Sequence, residues 1–99
     1  IEQKLEEFYG VKQIGNHVIF RTKFEAQQIH IAGDFNSWQI GPGTMQKANA
    51  DGEWRLAVAL NPGRYRYRMV VDGKWMTDPN NQYVETNQFG ELNNIFEVE

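Results

Sequence analysis

Short segments in which apolar and polar side chains alternate predict an all-β fold for this chain. In the central segment, residues 64–71, apolar side chains occupy every second position: Tyr65, Tyr67, Met69 and Val71. This period of two is typical of a half-buried strand, because successive side chains point to opposite faces. Turns rich in Gly, Asn and Pro separate such segments. Together these observations predict an antiparallel β-sandwich of immunoglobulin-like, early-set type, with a closed barrel as the structural alternative.

The same alternation marks strands on both sides of the central segment. The further predicted strands are residues 17–24, 28–32, 53–60, 82–86 and 94–98. Asn61-Pro62-Gly63 turns the chain into the central strand, and Asp72-Gly73 ends that strand in a tight hairpin, because Gly tolerates a positive φ. Trp54 shares the phase of the apolar positions in its strand, so we predict that it lies in the core.

The first residues have a different pattern. Ile1, Leu5 and Phe8 are spaced as on one face of a helix, and Gly10 could end that helix. We therefore predict an N-terminal connector with helical character over residues 1–16, followed by one β-sandwich domain over residues 17–99. Because the chain begins at Ile1 rather than Met, we also expect a covalently linked neighbouring domain.

Composition and charge exclude several classes of function. The 99 residues include no Cys, which excludes disulfides and thiol catalysis, and a net charge of −3 disfavours binding to nucleic acid. No apolar run approaches the length of a membrane span. His17 and His30 lack the spacing of metal ligands, and nucleophile, phosphate-loop and dinucleotide motifs are absent. We expect no enzymatic activity, no metal, no cofactor and no membrane partner.

Two tryptophans stand outside the predicted core. Trp38 lies in a polar loop out of phase with any strand, and Trp75 follows the Asp72-Gly73 turn. One interpretation is that each indole packs on an end of the sandwich and donates its N–H to a loop carbonyl. The other is that the two rings are exposed binding platforms.

A sugar is the ligand that best matches such platforms. The apolar face of a pyranose ring fits a flat indole, while the hydroxyl rim needs amide and guanidinium partners. Arg68 on the outward strand face and Asn93 near the last strand could supply them. We expect Arg64 and Arg66 to form a solvated sheet face, and Asn94 to serve in a turn.

The sequence resembles carbohydrate-binding module family 48, and its pattern is similar to the glycogen-binding domain of AMP-activated protein kinase β subunits. The resemblance runs from about Val18 to Val98. The motifs that carry it are Ile31-Ala32-Gly33-Asp34-Phe35-Asn36-Ser37-Trp38, Asp51-Gly52-Glu53-Trp54, Pro62-Gly63-Arg64-Tyr65-Arg66-Tyr67-Arg68, Val71-Asp72-Gly73-Lys74-Trp75, Asp78-Pro79 and Gly90-Glu91-Leu92-Asn93-Asn94.

The resemblance implies a non-catalytic sandwich that binds glycogen- or starch-type α-glucan, including cyclic malto-oligosaccharides (cyclodextrins). Carried over by position, the implied carbohydrate-binding residues are Trp38, Arg68, Trp75, Phe89, Glu91 and Asn93. The tryptophans and Asn93 are identical to the family's residues. Arg68 stands where the kinase domains carry Lys, Phe89 where they carry Leu, and Glu91 where they carry Thr. An ionised Glu accepts hydrogen bonds but cannot donate them.

The resemblance leaves the larger protein open. Such modules occur in kinase regulatory subunits and in branching or debranching enzymes, and the resemblance implies a cytoplasmic location. The alternative function is a protein-interaction sandwich that has kept the fold and lost sugar binding. A nucleic-acid binder that uses the arginine-rich strand is disfavoured by the acidic charge balance.

Overall fold

A computed structural model describes residues 9–48 and 52–99 of the chain. Its elements in chain order are β1 (Gly10–Ile14), β2 (His17–Lys23), β3 (Ile29–Gly33), a 3₁₀ turn (Asp34–Asn36), a second 3₁₀ turn (Gly41–Gly43), β4 (Gln46–Lys47), β5 (Glu53–Ala59), β6 (Gly63–Val71), β7 (Lys74–Met76), β8 (Val84–Thr86) and β9 (Leu92–Val98).

The strands form two antiparallel sheets, which confirms the predicted β-sandwich. The first sheet has the order β1-β2-β5-β4, and the second has the order β3-β6-β9-β8 with β7 added against β6. Strand β6 pairs with β3 along one edge. Along its other edge, residues 63–67 pair with β9 and residues 69–71 pair with β7. The longest strand therefore organises the second sheet.

The predicted inward faces meet between the sheets. The buried core includes Val18, Phe20, Ile29, Ile31, Met45, Trp54, Tyr67 and Met69. The prediction for Trp54 is confirmed, since it is 5% exposed and its Nε1–H donates to the carbonyl of Phe24 at 3.2 Å. The ring of Phe20 lies 5.1 Å from that of Tyr67 and 5.5 Å from that of Phe96, both edge to face. Such aromatic pairs stabilise a core beyond the area they bury.

A buried polar network ties the segment after β7 to β9. The hydroxyl of Tyr67 donates to Asp78 Oδ2 at 2.7 Å. The side chain of Asn94 accepts from the backbone N–H of Asp78 at 2.6 Å and donates to the carbonyl of Asn81 at 2.9 Å. Burial raises the pKa of Tyr67, and the charge of Asp78 raises it further. Asn94 thus faces the interior from within β9, where it fixes a loop, instead of serving in a turn at the entrance of the strand as predicted.

The first sheet extends beyond the predicted start of the domain at residue 17. Part of the predicted connector, Gly10–Ile14, is strand β1, paired with β2. Ile14 pairs with His17 across a two-residue turn in which Gly15 has φ +62°, and Val11 packs against the core. The sequence of β1 shows no regular alternation of apolar residues, so this extension of the sheet was not predicted. The helix predicted for the first residues, up to about Tyr9, falls almost wholly on residues 1–8, outside the described part.

The predicted hairpin after β6 is confirmed. Asp72 has φ +49° and Gly73 has φ +86°, the two positive values that a two-residue turn of type I′ requires. Beyond the turn, residues Lys74–Met76 form β7, a strand that the alternation did not predict. Its pairing follows from the turn, which returns the backbone alongside β6.

Two further features concern membranes and metals. Within residues 9–48 and 52–99, we find no helix of the length and apolarity that a membrane crossing requires. In the same ranges, His, Asp and Glu side chains do not gather in groups of three that could hold a metal ion.

Candidate functional site

An open groove of about 820 Å³ lies on the outer face of the second sheet. All the residues predicted to bind sugar line it: Trp38, Arg68, Trp75, Phe89, Glu91 and Asn93. The other lining residues, which sequence reasoning did not single out as a site, are Asp34, Arg66, Glu85, Thr86, Asn87 and Gln88. The fold therefore brings together predicted sugar-binding side chains that are up to 55 positions apart, from Trp38 to Asn93.

Strand register explains why these residues meet. Asn94 pairs with Tyr67, so the next rung places Asn93 beside Arg68, and Asn93 pairs in turn with Glu85. Arg68, Asn93 and Glu85 thus form one row across three strands, about 4.8 Å apart per strand. Two rungs further along β6, Trp75 of β7 pairs with Val70. The period of two then keeps all four polar and aromatic side chains on the outer face.

The loop that carries Trp38 is anchored by the residues that precede it. Phe35 packs into the aromatic core, with its ring 5.7 Å from that of Phe20. The side chain of Asn36 accepts from the N–H of Gly33 and donates to the carbonyl of Ile31, both at 2.9 Å. A side chain at Gly33 would place its Cβ 2.4 Å from the carbonyl of Arg66, so only Gly permits this close approach.

Trp38 itself is held in an uncommon conformation. Ser37 and Trp38 have φ +57° and +60°, in the left-handed region that costs an L-residue about 1–2 kcal/mol. The backbone N–H of Trp38 donates to Gly33 at 2.9 Å, and its Nε1–H donates to Asp34 Oδ1 at 3.1 Å. Residues kept in such conformations cluster at binding sites. These contacts fix the half-buried indole against the groove.

Trp75 is the more open of the two groove tryptophans. It is 42% exposed, and the guanidinium carbon of Arg68 lies 5.8 Å from its ring centroid, within the range of a cation–π contact. Arg68 Nε is buried and has no hydrogen-bond partner among the described residues. Neither indole fits the simple packing interpretation, because Trp75 is exposed and the Trp38 N–H is bonded to a carboxylate and not to a loop carbonyl.

The loop between β8 and β9 presents Phe89 at the edge of the groove. Asn87 Oδ1 accepts from the backbone N–H groups of Phe89 and Glu91, at 2.8 and 2.9 Å. The Asn87 N–H donates to the carbonyl of Glu91 at 2.7 Å, and Gly90 takes φ +83°. Within this closed turn Phe89 is 77% exposed. Large apolar side chains held open in this way are more often used for binding than for stability.

An ion-pair network forms the side of the groove that sequence analysis missed. Glu85 bonds to Arg64 Nη2 at 3.0 Å and to Arg66 Nε, and the backbone N–H of Arg66 donates to Asp34 Oδ2 at 2.9 Å. The hydrogen bond from Arg66 lowers the pKa of Glu85. Arg64 and Arg66, predicted to form a solvated face, are therefore paired, and Arg66 lines the groove. The alternate spacing of the arginines in the sequence hinted at a charged row on one face of β6. Their partner Glu85, however, lies on β8, which does not pair with β6, so the sequence did not reveal it.

The Asp34–Trp38 hydrogen bond gives a first prediction. In Asp34→Ala the Trp38 indole N–H loses its acceptor, so we expect its exchange with water to accelerate by about tenfold, since a bond to a charged group contributes about 1.5 kcal/mol. NMR of the indole N–H signals measures this. The Trp54 signal is the internal control, and Asp34→Asn, which keeps an acceptor oxygen, should restore slow exchange. An unchanged Trp38 signal in Asp34→Ala would contradict the assigned contact.

The family model and the similar sequences that match this chain both concern AMP-activated protein kinase. The family model described as the glycogen recognition site of AMP-activated protein kinase matches residues 16–99. The 5'-AMP-activated protein kinase subunit beta-1 of Sus scrofa is 32% identical over 80 residues, which are 81% of this chain and 62% of that protein. Subunit beta-2 of Homo sapiens is 28% identical over 97 residues, 98% of this chain and 34% of that protein. The chain thus spans less than two thirds of these relatives.

Solved structures share the fold. A Salmonella typhimurium protein assigned as an alpha amylase superposes with a TM-score of 0.66 and 28% identity, over 95% of this chain and 15% of that one. The maltogenic amylase of S. marinus gives a TM-score of 0.70 with 22% identity, over 94% of this chain and 15% of that one. In each case the match is a small part of a larger protein.

Proposed function

This chain belongs to the family described as the glycogen recognition site of AMP-activated protein kinase, and on that premise we propose that it binds glycogen- or starch-type α-glucan without catalysis. The ligand lies in the groove on the outer face of the second sheet. The observation that carries the proposal is that Trp38 and Trp75 line one groove together with Arg68 and Asn93.

The two indoles supply most of the binding energy. An α-linked glucose chain is coiled, so successive glucose units present apolar ring faces in different directions, and two separate indoles can contact different units. Covering about 80 Å² of apolar area on each indole contributes about 2 kcal/mol. After the cost of ordering the ligand, dissociation constants of micromolar to millimolar order follow.

The polar residues orient the sugar. The guanidinium of Arg68 has a buried Nε without a partner in the described part of the chain and offers donors at the edge of Trp75. Asn93 offers both a donor and an acceptor beside it. Its side chain forms no hydrogen bond within residues 9–48 and 52–99, and it is 6% exposed at the base of the groove. Sugar hydroxyl groups can satisfy both residues.

The loop between β8 and β9 completes the site. Phe89 projects from the loop and can enter the hollow of the coiled glucan, where its ring contacts the apolar inner surface. Glu91 offers a carboxylate as acceptor for a hydroxyl group, and Asn87 Nδ2 lies 3.3 Å from its Oε1. The Thr that the family carries at this position can both donate and accept a hydrogen bond. An ionised Glu91 can only accept one, from a sugar hydroxyl group.

Weak binding by one module suits a partner that is a long polymer. Repeated glucose units raise the effective concentration of sites, so a modest affinity is enough to hold a larger protein on a glycogen or starch particle. We therefore propose that the module anchors or regulates a covalently linked neighbouring domain. The kinase subunits that resemble it are longer than this chain, in line with such a role.

Calorimetric titration with β-cyclodextrin tests the proposal. We expect saturable binding by the wild-type chain and none to cellohexaose, whose β-linked chain is extended and not coiled. Trp75→Ala should weaken binding about thirtyfold, because about 2 kcal/mol of apolar contact is lost. Ile14→Ala, which removes a 52% exposed apolar side chain from the other sheet, is the matched control and should change nothing.

The rival function makes the opposite prediction. A sandwich that has lost sugar binding and uses its aromatic residues for a protein partner gives no heat with β-cyclodextrin in the wild type. That result, with the fold intact by circular dichroism, would overturn the proposal.

A further inference from the structure

Tyr83 is an exposed aromatic side chain outside the groove. It is 64% exposed, and its hydroxyl forms no hydrogen bond within the described part of the chain. Its backbone, in contrast, is fixed: the Tyr83 N–H donates to Asn81 Oδ1 at 2.9 Å, and its carbonyl accepts from the N–H of Ile95 at 3.0 Å. A ring held open on a fixed backbone loses little conformational freedom when a ligand covers it.

Register places Tyr83 on the same face as the groove. Asn93 pairs with Glu85, so Ile95 lies opposite Tyr83, and Ile95 also pairs with Arg66. Tyr83 is therefore in the row of side chains next to the row of Asn93 and Glu85, about 6.6 Å further along the strands. This spacing is comparable to the size of one sugar ring.

An ion pair and a shared recess lead from the groove to Tyr83. Glu85 lines the groove and bonds to Arg64 Nη2 at 3.0 Å. Arg64 in turn lines a shallow recess of about 400 Å³ together with Tyr83, Ile95 and Glu97. The recess combines an aromatic face with a guanidinium and a carboxylate, the same types of group that the groove offers. Hydroxyl groups of a sugar can bond to both charged side chains.

We infer that Tyr83 is a second platform, which binds the part of a long α-glucan that leaves the groove past Arg64 and Glu85. The inference rests on the proposed function and adds a preference for length. A short cyclic ligand fills the groove alone, whereas a long linear chain reaches the Tyr83 ring as well. The affinity should therefore rise with the length of the glucan until the glucan spans both the groove and the Tyr83 ring.

Two ligands separate this inference from the proposed function. Tyr83→Ala should leave the affinity for β-cyclodextrin unchanged and weaken the affinity for maltodecaose by roughly tenfold, the loss expected when one aromatic face is no longer covered. Tyr83→Phe keeps the ring and should restore most of the affinity for maltodecaose. Val84→Ala, at the next position of the chain, 41% exposed and by register on the opposite face of the sheet, is the matched control and should affect neither ligand.

The outcomes are distinguishable by calorimetry. Equal affinities of wild type and Tyr83→Ala for maltodecaose, with β-cyclodextrin still bound, overturn the second platform alone. Loss of β-cyclodextrin binding in Tyr83→Ala also overturns it, because Tyr83 would then act through the groove or the fold. A wild-type chain that binds neither ligand overturns both the second platform and the proposed function.

Discussion

A variant with Ala at both Trp38 and Trp75 is expected to show no measurable binding of β-cyclodextrin. Each indole contributes about 2 kcal/mol of apolar contact, so losing both weakens binding by about a thousandfold. A dissociation constant that begins in the micromolar to millimolar range then rises to millimolar order or above, at or beyond the limit of what calorimetry detects. The remaining polar groups compete with water for the same hydroxyl groups and cannot replace this energy.

The fold provides the control for this variant. Neither ring belongs to the buried core, whereas Trp54 does, so the double variant should keep its circular dichroism and its Trp54 fluorescence. Trp75→Tyr, which keeps a flat aromatic face, should retain part of the affinity. A double variant that binds β-cyclodextrin within threefold of the wild type would show that the rings are not the platforms.

Asn94→Ala is expected to have the largest effect on stability. Asn94 is 0% exposed, and its removal leaves the N–H of Asp78 and the carbonyl of Asn81 buried without their partners. Each unpaired buried group costs about 1–3 kcal/mol, so the free energy of unfolding should fall by about 3–4 kcal/mol. For a domain of this size the melting temperature then falls by roughly 15 °C. Thermal unfolding followed by circular dichroism measures the change.

The matched control for Asn94 lies in the segment to which its side chain bonds, residues 78–81. Asn80 is exposed, and only its backbone N–H takes part in the network, donating to Asp78 Oδ1 at 2.9 Å. Asn80→Ala should therefore change the free energy of unfolding by less than about 0.5 kcal/mol. If the two variants melt at the same temperature, the network around Asn94 does not stabilise the domain as described.

Alternation predicted the parts of the fold in which one face of a strand is buried. Phe20, Ile31 and Met69 were predicted to face inward because their segments alternate with a period of two, and all three lie in the core. The Asp72-Gly73 turn was predicted because Gly tolerates a positive φ. Strands β1, β4 and β7 were missed because their residues show no apolar alternation, and pairing with a neighbouring strand defines them. Gln46–Lys47, for example, is exposed at both positions and joins the sheet only through β5.

The candidate site was predicted from residue types, but its charge network was not. Trp38 and Trp75 stand out as large apolar residues in polar segments. The pairing of Glu85 with Arg64 and Arg66 depends on the register between β8 and β9, and between β9 and β6, which no local pattern encodes. Tyr83 was hidden for the same reason, since only the register shows which face it shares.

The most direct measurement of the central claim is the detection of NMR contacts between a bound glucan and the indole rings. In a complex of isotope-labelled protein with unlabelled β-cyclodextrin, intermolecular NOEs should connect sugar C–H protons with ring protons of both Trp38 and Trp75. Saturable binding with NOEs to neither ring, or only to residues of the opposite sheet, would contradict the claim that the two indoles hold the glucan.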